Sequence, residues 1–385
     1  MLVLPNAKDR RWPTVLRVLS IVGDRNACSA WRIWQPFRAL QQRGYPAEWT
    51  WKTDVLTPLV AQAFDVYVLP RIWWPTAEQY RAASWFATVR AAGRFVLYET
   101  DDDLFSEWVV PQQQQSVRPH ATVAELEAER QARIWTLRQC DGVTVTTPRL
   151  ATIVQQYTDA PVAVVPNALD ARWFRAVQRM ASPRRSIPPL TIGWQGGARP
   201  DADVAAMAVA WGRIARRFPH ITFVVQGHQP RILHEQVPPE RLRAIPWLPL
   251  EAYPLGLANT DIACCPLADA PFNRAKSSIK AYEAAASGSA VVASPTVYRQ
   301  VVTPGETGLL AETADEWEAS LVALVEDEAL RRKLARRLWR TVEQQHTLEG
   351  QVERWPQAWQ QLVTQAASLR GRGRRAPLAL SLVPS

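Results

Sequence analysis

Short β-branched runs alternate with helix-length amphipathic segments along almost the whole of this 385-residue chain. Strand-like runs fall at 15–22, 47–51, 65–69, 94–98, 142–146 and 162–165, with helix-like segments at 31–43, 76–92, 122–139 and 148–157 between them. Such alternation predicts a mostly parallel sheet covered by helices on both faces. The pattern breaks once, at the proline-rich, charged stretch 182–189, which reads as a linker. It then restarts with strands at 190–194, 221–226, 261–265 and 290–293 and helices at 201–217, 252–258, 276–287, 313–325 and 330–345. A single hydrophobic core stops growing at roughly 250–300 residues, so a chain of this length is expected to divide. The expected fold class is α/β, with two Rossmann-like doubly wound domains facing across a cleft. The expected units are 1–181, 190–346, a helix at 347–368, and a basic tail at 369–385 expected to be disordered.

Composition removes several function classes. No run of about 18 apolar residues is present, so no spanning helix is expected. The N-terminus lacks a signal-peptide pattern, so a cytoplasmic location is expected. Four cysteines without a CxxC pair, and five histidines without ligand spacing, give no disulfide framework and no metal site. The net charge of +9 favours anionic ligands. Its arginines are spread along the chain, unlike the aromatic-interleaved clusters of nucleic-acid binders, so no nucleic-acid partner is expected. The basic-then-apolar tail makes weak contact with an anionic membrane surface the sharper expectation for that segment, at the inner face of the membrane.

In open parallel sheets, ligands bind beyond the carboxyl ends of the strands. The loops there read GDRNACSAWR, PRIWWP, ETDDDLF and PNALD in the first half, and QGGARPD, GH and PLADAPFNRAKSS in the second. Gly196 and Gly197 open the first helix of the second half, where backbone amides favour an anion. Lysine supplies only five of the 45 basic residues, and two of them, Lys276 and Lys280, lie in one short segment with Glu283. Spacings of four and three put all three on one helical face, with Ser277 and Ser278 at capping positions. Two ammonium groups at a helix N-terminus suit a diphosphate, and a carboxylate two turns in suits a ribose diol. A solvated Lys280–Glu283 surface pair is the plainer reading of the same spacing.

The segment 276–294 resembles the donor-binding helix of the retaining GT-B glycosyltransferases, the large group-one family (family four-like). Lys276, Lys280, Glu283, Ala284, Ala286, Gly288, Val291, Val292, Ala293 and Ser294 follow its pattern, with Ala290 where proline is usual. TIGWQGG, PNALD, ADAPFN and the stretch 303–335 resemble further parts of that family, and CSAWRIWQPFRALQQRGY and YETDDDLF its cleft loops. Two features depart from the pattern. The family often has a glutamate eight residues before the one at Glu283, where this chain has Ala275. Its catalytic-edge histidine is also missing, and Asp101, Asp102 and Asp103 stand there instead.

The resemblance implies transfer of a sugar from a nucleotide-diphosphate sugar, with retention, without a metal or other cofactor. Lys276, Ser277, Lys280, Gly196 and Gly197 would hold the diphosphate, and Glu283 the ribose. Gly227 and Trp247 would bracket the base. Asp102 would orient the reacting hydroxyl, with Arg32 meeting phosphate or an anionic acceptor. Trp73, Trp74 and Asp101 would hold the acceptor, a glycan, lipid-linked molecule or protein. The three aspartates have a plainer reading, in which one caps the following segment. The alternatives are a sugar-nucleotide-binding protein of the same fold without transfer activity, separated by donor turnover, and a nucleotide-sugar epimerase, which needs an extra acid/base pair.

Overall fold

The computed structural model describes residues 15–371, apart from 24–26, 52–56, 58–59, 181–189, 198–200 and 259. The linker expected at 182–189 and the tail beyond 371 lie outside the described residues.

Two six-stranded parallel sheets form. The first contains β1 (Val18–Val22), β2 (Ala47–Trp51), β3 (Val66–Pro70), β4 (Phe95–Thr100), β5 (Gly142–Val145) and β6 (Val162–Val164), in the order β2-β1-β3-β4-β5-β6. The second contains β7 (Thr191–Gly196), β8 (Thr222–Gly227), β9 (Leu242–Ile245), β10 (Ile262–Cys265), β11 (Ala290–Ala293) and β12 (Leu309–Leu310), in the order β12-β11-β10-β7-β8-β9. All described pairings are parallel. Burial on both sheet faces explains why β1, β3 and β10 read as nearly continuous apolar runs. Strand order reverses between β1 and β3 in the first sheet and between β7 and β10 in the second. Each reversal opens a crevice at the carboxyl edge, where such folds take ligands.

Local chemistry sets the helix ends. Thr122 and Glu125 form a reciprocal capping box that starts Val123–Gln139, and Thr313 with Glu316 does the same for Ala314–Glu326. The helix Arg354–Gly371 packs against the first sheet. Its Trp355, Trp359 and Leu362 share a core with Val18, Phe37 and Leu97. The two connections between the sheets meet side by side: the Leu169 amide donates to the His346 carbonyl at 2.8 Å, and the Leu348 amide to the Leu169 carbonyl at 2.9 Å. No helix among the described residues is long and apolar enough to cross a membrane.

Sequence periodicity missed β9 and β12. β9 is half exposed and carries Arg243, and β12 has two residues, so neither shows a readable apolar run.

Candidate functional site

The two crevices face one cavity of about 750 Å³, within the range of small-molecule sites. One wall comes from the second sheet. β7 runs out into Gly196 and Gly197, and β8 ends at Gly227 with φ of 90°. A Cβ on Gly227 would lie 2.6 Å from the Gly196 carbonyl, so the two strand ends can close up only without one. The exposed indole of Trp247 lies over Gly197 and Gly227, 3.7 Å from where a Cβ on either would be.

The segment after β10 supplies the charged floor. Its helix spans Ile279–Ala286, three residues shorter at the start than the spacing predicts. Lys276 follows a 3-10 turn at Asn273–Ala275 and is extended (φ −70°, ψ 161°), so it is not on a helical face with Lys280 and Glu283. It still lines the cavity, as do Ser277, Lys280 and Glu283. Neither serine caps the helix by its side chain. Ser277 accepts from Asn167 Nδ2 at 2.8 Å, and Ser278 donates to the Val297 carbonyl at 3.0 Å. Cross-domain and tertiary partners have outcompeted the local cap.

Glu283 is fully buried, which excludes the solvated surface pair. Its Oε2 accepts from Tyr253 OH at 2.7 Å, Lys280 Nζ at 3.0 Å and Gln195 Nε2 at 3.3 Å. Its Oε1 is buried with no hydrogen-bond partner among the described residues. A buried carboxylate oxygen without a donor is costly unless a ligand supplies one. Lys280 Nζ also donates to Tyr253 OH at 2.7 Å. Gln195 and Tyr253 were not legible in the sequence, because only the fold brings them to Glu283.

The opposite wall comes from the first sheet. Lys276 Nζ meets Asp102 Oδ1 at 2.8 Å across the cleft and lies 4.2 Å from the centre of the Phe272 ring. Asp101 and Asp102 both turn toward Arg71, whose guanidinium stands 3.4 Å from Asp101 Oδ1 and 3.8 Å from Asp102 Oδ2. Arg71 also donates to Cys28 Sγ at 2.6 Å. Burial pushes the Cys28 thiol well above its usual range, against the pull of Arg71. Asp103 points inward, fully buried, and its Oδ1 accepts from the amides of Phe105 and Ser106 at 3.1 Å each. It is the capping aspartate of the three. Consecutive side chains here do not all diverge, because Thr100 folds the loop back by donating to the Asp102 carbonyl at 2.8 Å.

Three expected site residues lie elsewhere. Arg32 is 2% exposed and does not line the cavity. It pairs with Glu99 at 2.7 Å and donates to the Val165 carbonyl at 2.7 Å and to Asn167 Oδ1 at 3.0 Å. It therefore stands behind Asn167, which reaches Ser277. Trp74 is in the core against Phe86, and Trp73 packs with Arg133. Both are absent from the cavity wall, because the chain after β3 turns them onto the helices that cover the sheet. Arg71, whose backbone makes that turn at φ of 54°, is the residue of PRIWWP that lines the cavity. For an L-residue this left-handed conformation costs about 1–2 kcal/mol.

Ala275 is fully buried within the first sheet's core, and its carbonyl accepts from Thr147 Oγ1 at 2.8 Å. A carboxylate there would be buried among apolar groups, which accounts for alanine where the family often has glutamate.

Residues 210–357 match a family model described as glycosyl transferase-like. The chain has the GT-B fold, and its matched segment is related to that family. Solved structures of the same architecture include a sucrose-phosphate synthase from Thermosynechococcus elongatus, 15% identical, with TM-score 0.60 over 90% of this chain and 99% of that one. Anabaena HepE in complex with UDP-glucose is 13% identical, with TM-score 0.59 over 93% and 100%. The pneumococcal O-GlcNAc transferase GtfA with UDP and GlcNAc is 12% identical, with TM-score 0.52 over 78% and 57%. No curated protein matches the sequence. At these identities the structures establish that the GT-B architecture is shared.

Proposed function

We propose that this GT-B protein is a glycosyltransferase that moves a sugar from a nucleotide-diphosphate sugar to a hydroxyl acceptor. The observation that carries this reading is the convergence on one cleft of Glu283, with its unpartnered buried oxygen, of Lys276 and Lys280, and of the glycines under Trp247. Oε1 of Glu283 accepts from the ribose, while Oε2 is held by Lys280 and Tyr253. Lys276 and the first amides of Ile279–Ala286 take the diphosphate, since those amides have no partner within the helix. Charge grows on that leaving group in the transition state, so a fixed cation there contributes directly to rate. Trp247 brackets the base. HepE and GtfA, of the same architecture and both solved with uridine nucleotides, support a nucleotide-sugar donor.

Asp102 faces the acceptor hydroxyl from the first domain. Val109, Gln112, Gln113 and Val117 line the same wall and add a mixed amide and apolar surface suited to a glycan or lipid-linked acceptor. Transfer proceeds with retention, as the resemblance of segment 276–294 implies, and without a metal, the cations being supplied by the chain. The test is a thermal-shift panel of nucleoside diphosphates and their sugars, because a ligand of the folded state raises Tm by mass action. Nucleoside diphosphates should stabilise the protein well beyond the matching nucleosides. Lys276→Ala should remove roughly 1.5–3 kcal/mol from the diphosphates alone. Equal loss for both classes would take Lys276 off the phosphate. Turnover should survive excess EDTA, and loss restored by Mn²⁺ or Mg²⁺ would overturn the metal-free reading.

Ala275 favours a second reading, a sugar-nucleotide-binding protein without transfer, because no carboxylate is available at that position. Absence of donor turnover with intact donor binding would select it.

A further inference from the structure

Cys28, Asp101 and Asp102 each offer a ligand atom within 4.8 Å of the others, an arrangement that could hold a divalent ion. In this chain a guanidinium reaches all three. Arg71 donates to Cys28 Sγ at 2.6 Å and pairs with Asp101 at 3.4 Å and Asp102 at 3.8 Å. The cluster sits at the first sheet's strand-order reversal: Cys28 follows β1, Arg71 follows β3 and the aspartates follow β4. Arg71 is also the one non-glycine residue with positive φ among the described residues. Backbone of that kind persists where the surroundings over-determine it, and it concentrates at functional sites.

We propose that Arg71 is a positioning residue, the built-in cation of the Cys28–Asp101–Asp102 cluster, standing where a divalent ion would otherwise be held and keeping Asp102 aimed across the cleft. Among the described residues two cations meet Asp102, Arg71 through Oδ2 and Lys276 through Oδ1. A bound diphosphate draws Lys276 away. Arg71, on the same sheet as Asp102, stays in place and keeps the carboxylate oriented toward an acceptor. That last step rests on the glycosyltransferase reading; the occupancy of the cluster by Arg71 does not.

Arg71→Gly removes the cation and suits the left-handed backbone, so the variant should fold. Titration with Co²⁺, read by thiolate-to-cobalt absorption and by Tm, should give no band for the wild type and a saturable band with stabilisation for Arg71→Gly. Adding Cys28→Ser should abolish the thiolate band, and Arg71→Lys should remain without one. A band of equal strength in the wild type, or none in folded Arg71→Gly at millimolar Co²⁺, would overturn the proposal. In donor turnover, Arg71→Gly should lower kcat at least tenfold with donor KM within about threefold, and Arg71→Lys should recover part of it. Unchanged kcat would refute the positioning role. If nucleoside diphosphates do not stabilise the wild type, the glycosyltransferase reading falls, while the cobalt titration still decides what Arg71 replaces.

Discussion

Individual side chains divide into those that line the cleft and those that hold them. Glu283 does both: one oxygen is anchored by Lys280 and Tyr253, and the other is without a donor. Glu283→Gln should therefore weaken ribonucleotides more than 2′-deoxyribonucleotides, by up to about 1.5–3 kcal/mol, the range for hydrogen bonds to a charged group. Titration calorimetry with both sugars checks this, and equal weakening would mean the ribose lies elsewhere. Arg32 belongs to the holding class. Its pair with Glu99 is buried on both sides, so Arg32→Met should cost about 3–5 kcal/mol of stability by stranding a carboxylate. Denaturant unfolding measures it. His346 lies stacked on Tyr282, centroids 4.4 Å apart, and burial lowers its pKa. The unfolded chain then binds a proton at a pH where the folded chain does not. The stability this contributes is present above the unfolded value of about 6.5 and is lost as pH falls through the lower folded value. His346→Phe should flatten the fall in Tm between pH 7.5 and 5.5; parallel curves for the two proteins would remove His346 as its cause.

Elements decide what those residues can reach. The helix at Ile279–Ala286 begins after Lys276, yet the preceding 3-10 turn and extended residue carry Lys276 to the cleft by another route. The segment 275–277 is tied to the first domain at three successive residues: Ala275 to Thr147, Lys276 to Asp102 and Ser277 to Asn167. The helix Arg354–Gly371 fixes the first domain from behind. Trp359 is 1% exposed and meets Phe37 edge-on at 5.4 Å. Trp359→Ala should cost about 3–5 kcal/mol, and the unfolding midpoint in denaturant reports it.

For the whole molecule, the two strand-order reversals face each other over one cavity, and both connections between the sheets lie together at Leu169 and Thr347. A pair of adjacent crossings is the geometry of a hinge. Opening there would break the Lys276–Asp102 pair together with the Thr147–Ala275 and Asn167–Ser277 bonds, and in the proposed reading a diphosphate on Lys276 would compete for the first of them. Asp102→Asn should therefore bind nucleoside diphosphate at least as tightly as the wild type while turnover falls. A loss of diphosphate affinity beyond about threefold would instead place Asp102 in the donor site.

The doubly wound class is written in the sequence, because parallel strands covered on both faces must be short, apolar and separated by helices. Lys276, Lys280, Glu283 and the glycines were legible for a similar reason: their types and spacing are local. Arg71, Tyr253, Gln195 and Asn167 were not, since they come from separate loops and strand ends that share no spacing. Arg32, Trp73 and Trp74 misled because position after a strand does not reveal which way a side chain turns. Asp103 became a cap and Asp102 a cleft residue on one loop, a difference set by how Thr100 folds it. Residue type and period determine what each segment can become. Only the packing of one sheet's edge against the other decides which charges meet, because those contacts join residues more than a hundred positions apart.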